Sequence, residues 1–212
     1  MISNWKAQGA FTNEDLSILK RFRRPHDIQD FLNSISYDEM PGTSSPRIVM
    51  EEGKANCFEG SLFAAAALRS IGRRPLIVDM IAQNDDDHVI ALFMEGKYYG
   101  AVAKSNTTML RYRDPVFRSI RELAMSYFPF YFNIKGEMTL RSFSNPVDLS
   151  RFDGRGWVTT DENLDYIGDY LNTVRHHEVL DHRMRKHVSR ADDDIVKMCF
   201  SGAITEGVYK PE

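Results

Sequence analysis

The sequence has little cysteine, no excess of basic residues and no long apolar run. Cys57 and Cys199 are the only cysteines among 212 residues, so a disulfide framework is excluded. The formal net charge of -3 provides no basic field that would favour nucleic-acid binding. No stretch approaches the length of a membrane span, and residues 1–8 lack the pattern of a signal peptide. We therefore expect a cytoplasmic protein that binds neither nucleic acid nor membrane.

The composition that remains is that of an ordinary globular protein. Hydrophobic residues make up 42% of the chain and charged residues 27%, which fits one domain over residues 1–212. A stretch rich in proline, serine and glycine, residues 41–46, indicates a linker. We expect a helical lead-in over 1–45, a core over 46–132 and a mostly helical C-terminal extension over 133–212.

Helices are predicted on both sides of the core. Asn13 can cap a helix that ends near Phe22, and Pro25 can open a second one. After the core, the pattern predicts a helix over 115–132 and a short strand over 136–143. A capping-box pattern and an amphipathic stripe then predict a long helix over 161–188.

The most informative stretch surrounds Cys57. Asn56 is a good N-cap, and Glu59, three residues later, can return a hydrogen bond to the backbone of the cap. Cys57 is then the first helical residue, where the positive end of the helix dipole favours a thiolate. Residues 58–71 are apolar on nearly every side, which predicts a helix buried inside the domain.

Three strands are predicted directly after this helix. Residues 76–82 and 88–94 are apolar strands, and 98–104 returns beside the second through a tight turn near Glu95-Gly96. His88 is the first residue of the middle strand. An imidazole on a neighbouring strand would complete a nucleophile and base pair with the thiol.

The order of a Cys-bearing helix, a strand and a strand carrying His resembles the transglutaminase-like superfamily, cysteine enzymes with a papain-like fold. The resemblance covers roughly residues 46–107. It rests on these motifs: Asn56-Cys57-Phe58-Glu59-Gly60, Gly72-Arg73-Arg74-Pro75, Asp87-His88-Val89-Ile90 and Gly96-Lys97-Tyr98-Tyr99-Gly100. It implies an α+β fold in which the buried Cys-bearing helix packs on an antiparallel sheet, with helical extensions at both ends.

The resemblance also implies the chemistry. Cys57 would be the nucleophile and His88 its base, in acyl transfer on an amide of a protein, a peptide or a small molecule, without a cofactor. Water as the second substrate gives a peptidase, amidase or deamidase, and an amine gives a transferase. Arylamine acyltransferases carry a similar Cys-Phe-Glu helix start, so acyl-CoA is an alternative donor.

The sequence departs from the family at the third catalytic position, where the family has an Asp opposite the His. A two-residue turn at Glu95-Gly96 would place Ala103 opposite His88, and a longer turn would place Lys104 or Ser105 there. None of these is acidic. Asn106, just beyond, is the candidate third member, since Asn orients the His in papain-like proteases. The missing acid also supports an alternative, a binding or scaffold protein that has lost the chemistry.

Three further groups of polar residues have candidate roles. Arg111 and Arg113 could clamp an acidic group of a substrate, or pair internally with a neighbouring carboxylate. His177 and Asp181 share a face of the predicted long helix, which would suit a metal, although a solvated charged face explains them better. The acidic loop 85–87 could bind a cation, but a polar loop between strands explains it equally well, so no metal site is predicted.

Overall fold

The computed structural model describes residues 17–40 and 42–211 and combines helices with an antiparallel sheet. The strands are β1 (Ser36–Tyr37), β2 (Lys54–Ala55), β3 (Leu76–Ala82), β4 (His88–Glu95), β5 (Tyr98–Val102), β6 (Arg113–Phe117), β7 (Leu140–Ser144), β8 (Val147–Asp148) and β9 (His176–Glu178). The helices are α1 (Pro25–Ser34), α2 (Pro46–Glu52), α3 (Cys57–Ser70), α4 (Ile120–Tyr127), α5 (Asp165–Thr173), α6 (His182–Arg185) and α7 (Asp193–Phe200).

One seven-stranded sheet organises the molecule. Its strand order is β6-β5-β4-β3-β7-β9, with β8 pairing with the start of β3, and every pair is antiparallel. The separate β1 and β2 form a short parallel pair. The prediction of strand β3 is confirmed at both ends, and those of β4 and β5 within two residues.

Helix α3 lies inside the molecule, as predicted. Ten of its fourteen residues are buried, among them the run Ala64–Ala67. Small side chains let the helix approach strand β4 closely, because little volume separates the two backbones. The helix therefore holds its first residue, Cys57, at a fixed position against the sheet.

Each face of the sheet carries its own apolar core. Side chains of a strand alternate between the two faces, so Val89 and Ala91 pack on the side of α3. The side chains of Ile90 and Leu92 pack on the opposite side, against α4 and its neighbours. His88 has the same parity as Ile90 and points to the side of α4.

The chain after residue 132 completes the sheet. It contributes β7, β8 and β9, where mostly helix was expected. The predicted single helix over 161–188 is wrong: α5 ends at Thr173 and β9 then pairs with β7. The first five residues of the predicted 115–132 helix are wrong too, since residues 113–117 form β6 and α4 begins at Ile120.

The lead-in is described only in part. Asn13 and Pro41 lie outside the described residues, as does the start of the first predicted helix, of which residues 17–19 are described and helical. The predicted opening of α1 at Pro25 is confirmed, and helix α2 begins where the linker was expected to end. Within residues 17–40 and 42–211, no helix is long and apolar enough to cross a membrane.

Candidate active site

One small cavity brings together Cys57 and His88, the two residues to which the sequence assigns chemistry. Its volume is about 70 Å³, room for a few water molecules. The remaining walls are formed mainly by Asp85–Asp87, Ser105–Thr107, Leu110, Phe130–Phe132, Cys199 and Gly207–Tyr209. The cavity thus collects residues from distant parts of the chain around a thiol and an imidazole.

The predicted capping box fixes the start of α3 and so the place of Cys57. The Oδ1 atom of Asn56 accepts from the Glu59 N–H at 3.0 Å, and Oε2 of Glu59 accepts from the Asn56 N–H at 3.1 Å. The other oxygen of Glu59 accepts from the Ser44 N–H at 2.9 Å. Glu59 therefore serves the cap and also fastens the preceding loop to the helix.

The surroundings of Cys57 favour the neutral thiol. Its Sγ donates to the Asp87 carbonyl at 3.7 Å. Burial raises the pKa of the Cys57 thiol to about 11; the backbone N–H of Val89 opposes the increase and the charge of Asp86 adds to it. The expected stabilisation of a thiolate by the helix N-terminus is outweighed by desolvation.

His88 is buried and held by a backbone carbonyl. Its Nε2 lies 2.8 Å from the Leu110 carbonyl oxygen, and the rings of Tyr127 and Tyr131 meet it edge-on. Burial lowers the pKa of His88 to about 4; the Leu110 carbonyl opposes this decrease and the charge of Arg113 adds to it. Because a carbonyl only accepts, the neutral ring donates through Nε2–H and keeps Nδ1 as its acceptor.

Cys57 and His88 share a cavity because strands β4 and β5 separate at this point. Their ladder runs from Glu95 paired with Tyr98 to Ala91 paired with Val102, and then stops. Beyond it, the backbone of Ala103 pairs in both directions with the side-chain amide of Gln29 on α1, at 2.9 and 3.0 Å. The chain after β5 therefore leaves β4, and the cavity lies where the ladder has ended.

The register explains why no acidic residue lies opposite His88. The turn is Gly96-Lys97, one residue later than expected, with Gly96 in the left-handed region at φ 57°. Continuing this register would place Ser105 opposite His88, but the strands have separated by then. The group that orients His88 is the Leu110 carbonyl. Every residue carries a carbonyl, so no sequence signal could have pointed to it.

Asn106 lines the same cavity, but its side chain forms hydrogen bonds with the backbone of residues 204 and 207. Its Oδ1 accepts from the Ile204 N–H at 2.8 Å, and its Nδ2 donates to the carbonyls of Ile204 and Gly207 at 2.9 and 3.0 Å. The amide is thus engaged with the segment after α7, whereas His88 bonds to Leu110.

Arg111 and Arg113 hold backbone segments around the cavity. The guanidinium of Arg111 donates to the Ser105 carbonyl and to the side chain of Asn33. That of Arg113 donates to the Tyr112 and Met109 carbonyls and to Ser126, and it lies 3.9 Å from the centre of the Tyr127 ring. Both therefore contribute to the loop that supplies the Leu110 carbonyl, and neither is paired with Asp114 or Glu122 in the described structure.

The pairing of His177 with Asp181 on one helix is wrong. His177 lies on β9, where its Nε2 is 2.8 Å from Asn145 Oδ1, while Asp181 caps α6 through the N–H groups of Arg183 and Met184. No group of three or more His, Cys, Asp or Glu residues in the described part of the chain is placed to hold a metal ion.

The structure also contains a pair that the sequence did not predict, a buried carboxyl beside a half-buried imidazole. Asp79 Oδ2 on β3 lies 3.2 Å from His176 Nε2 on β9, and Nδ1 of His176 lies 2.8 Å from the Val174 carbonyl. Burial raises the pKa of Asp79 to about 6, although the bond to His176 opposes the increase. These residues come together because β7 pairs with both strands, so no motif or spacing in the sequence could predict the pair.

Comparison with known proteins gives no family for this chain. No protein-family model matches the sequence, and a search among curated proteins finds no match. The function is therefore inferred from the residues of the site.

Proposed function

We propose that this protein is a cysteine-dependent acyl-transfer enzyme that acts on an amide or a related acyl group. The proposal is based on one observation: Cys57 and His88 line the same cavity. The Leu110 carbonyl accepts a hydrogen bond from Nε2–H of His88, which leaves Nδ1 free to accept a proton. A thiol, an acceptor imidazole and a group that orients the imidazole are the parts that nucleophilic catalysis requires. A buried Cys-bearing helix on an antiparallel sheet supports a papain/transglutaminase-like core.

The reaction would begin from two neutral groups. Sγ of Cys57 attacks the carbonyl carbon while its proton passes to Nδ1 of His88, which gives a tetrahedral oxyanion and an imidazolium. Collapse expels the amine, which takes the proton from His88, and leaves a thioester on Cys57. Water, deprotonated by His88, then releases an acid, or an amine takes the acyl group.

Backbone donors at the start of α3 suit the developing oxyanion. The N–H groups of Cys57, Phe58 and Val89 all lie close enough to Sγ to lower the pKa of the thiol. Donors of this kind are fixed by the fold and cost no reorganisation when charge develops beside them. We therefore assign transition-state stabilisation to this end of the helix.

An activated acyl donor tests the proposal directly. The purified protein is incubated with an aryl ester or a thioester of a small N-acyl amino acid, and the acyl adduct is mapped by mass spectrometry. We expect an adduct on Cys57 that is absent in Cys57→Ser and forms at least 10²-fold more slowly in His88→Ala, as for loss of a general base.

Cys199 provides the matched control, because it lines the same cavity and is buried. Cys199→Ser should acylate at the rate of the unmodified chain. Equal acylation rates in His88→Ala and the unmodified chain would contradict the proposed role of His88.

A second candidate function, ligand binding without chemistry, is favoured by the Cys57 pKa of about 11. A thiol of this kind is a poor nucleophile at rest. This candidate requires that no acyl adduct forms on Cys57 under conditions that acylate an unfolded control of the same chain.

A further inference from the structure

The segment Ile204–Tyr209, here called the strap, lies against the cavity of Cys57. Gly207, Val208 and Tyr209 line that cavity together with Cys57 and His88. The same three residues and Cys57 also line a second, more open cavity that is bordered by Asp86 and Asp87. Cys57 and the strap therefore lie together where the two cavities meet.

Asn106 holds the strap through its main chain. One amide side chain accepts from the Ile204 N–H and donates to the Ile204 carbonyl, and it also donates to the Gly207 carbonyl. Pairing of an amide with both backbone groups of one residue recognises a peptide without reading its side chain. The contact made here with a segment of the same chain would also suit the main chain of a separate peptide.

Gly207 has little room for a side chain in the cleft. A Cβ atom at this position would lie 3.2 Å from Asn106 Nδ2 and from Tyr37 Cε1, and 3.3 Å from Glu39 Cβ. These separations are tighter than ordinary van der Waals contact. A larger residue would displace the strap from Asn106 or force the cleft wall to move.

We propose that the strap, which forms a 3-10 turn over Thr205–Gly207, occupies within its own chain a cleft that binds a peptide beside Cys57, and that it keeps the site closed until a peptide displaces it. This proposal deepens the proposed function and rests on it for the identity of the substrate as a peptide. Asn106 would then be the residue that binds the peptide main chain, with glycine or another small residue at the place of Gly207.

Charge indicates which peptide displaces the strap. Glu206 lines the open cavity together with Asp38, Glu39, Asp86 and Asp87, and of these Asp38 is paired with Lys54 at 3.0 Å. Like charges brought into one cleft repel each other, so Glu206 weakens the closed strap. A peptide with a basic residue at the position of Glu206 would bind the cleft better than the strap does.

The test measures how fast iodoacetamide labels Cys57 in the full chain, with the site of labelling mapped by mass spectrometry. Asn106→Ala and Gly207→Val should each raise the labelling rate about tenfold, because they release the strap. Glu206→Gln should lower the rate, because it relieves the repulsion. Asn172→Ala, an exposed amide on α5, is the matched control and should not change the rate.

A second experiment adds the sequence of the strap as a separate peptide. An eight-residue peptide with the sequence of residues 203–210 should slow Cys57 labelling of Gly207→Val, and its Glu206→Lys version should do so at a lower concentration. Labelling of Asn106→Ala and Gly207→Val at the original rate, with circular dichroism unchanged, would overturn the proposal. So would equal protection by the two peptides and a scrambled one.

The outcome separates this proposal from the proposed function. If Asn106 orients His88 instead, Asn106→Ala lowers acylation and leaves alkylation by iodoacetamide unchanged. If the strap proposal holds and acyl transfer does not, labelling changes as described while no acyl adduct forms. If Cys57 is acylated but its labelling rate is the same in all strap variants, acyl transfer holds and the strap proposal fails.

Discussion

Cys57 and His88 are both neutral at about pH 7, because burial moves their pKa values in opposite directions, to about 11 and about 4. A thiolate and imidazolium pair is therefore not the resting state. The proton has to move during the attack, which makes the fixed acceptor Nδ1 the important property of His88. The pKa of the thiol is the quantity to measure first.

The rate of Cys57 alkylation should rise with pH to a midpoint near 11, well above the value of about 8.5 for a free thiol. Asp86→Asn should lower this midpoint, because the Asp86 charge destabilises the thiolate. Asp169→Asn, an exposed change on α5, serves as the control. A midpoint at or below 8.5 in the unmodified chain would contradict the burial that the structure gives to the thiol.

At the scale of single residues, the sequence predicted the contacts that form within a short stretch of chain. The capping pair Asn56 and Glu59 is confirmed. It could be predicted because both partners lie within one helical turn. The bond from His88 to Leu110 and the bonds from Asn106 to the strap join residues 22 and about 100 positions apart. Such partners are decided by how the chain folds back and not by spacing.

Two glycines within helices show how packing decides the effect of the same substitution. Gly60 on α3 allows close approach to the chain after β5, since a Cβ there would lie 2.3 Å from Lys104 Cβ. Gly168 on α5 has only Phe58 Cε2 near its missing Cβ, at 4.0 Å. Alanine is the better helix former at both positions, but only Gly168 has space for it.

Gly60→Ala should lower the free energy of unfolding by about 1–3 kcal/mol, because the clash outweighs the helix propensity. Gly168→Ala should raise it by up to about 1 kcal/mol. Urea unfolding of both variants measures the difference. Stabilisation of similar size by both substitutions would show that α3 is not packed as described.

The C-terminal half shows where sequence patterns fail at the scale of elements. The stripe of Leu164, Ile167 and Leu171 is buried as predicted. The continuation through His176 was predicted to be helical because the amphipathic stripe extends to Val174. Residues 176–178 form a strand because β7 offers an edge to pair with, and that edge exists only in the folded molecule.

At the scale of the whole molecule, Asp79 and His176 connect the middle of the sheet to its last strand. Nδ1 of His176 faces the Val174 carbonyl, and Nε2 faces the carboxyl of Asp79. Burial disfavours the ionised form of that carboxyl, so loss of its proton leaves a carboxylate where a charge is costly.

The free energy of unfolding should consequently depend on pH through Asp79. Its folded pKa of about 6 exceeds the unfolded value of about 3.9, so the native state binds the proton more tightly. The contribution is fully present below about pH 4 and is lost as the pH rises through 6. Asp79→Asn keeps a donor toward Nε2 and should be more stable than the unmodified chain by about 2–3 kcal/mol at pH 8, with little difference at pH 4.

Urea unfolding from pH 4 to pH 8 measures this dependence, and Asp169→Asn should follow the unmodified chain throughout. Parallel curves for Asp79→Asn and the unmodified chain would show that Asp79 is not buried against His176.

The two outer strands of the sheet also affect how copies of the molecule meet at high concentration. Strand β6 carries Arg113, Asp114 and Pro115, and strand β9 has only three residues, two of them histidines. Proline offers no N–H to a partner, charges repel an approaching strand, and a three-residue edge offers few hydrogen bonds. Neither edge is a good template for intermolecular β-pairing, so the sheet is protected against growing into fibrils.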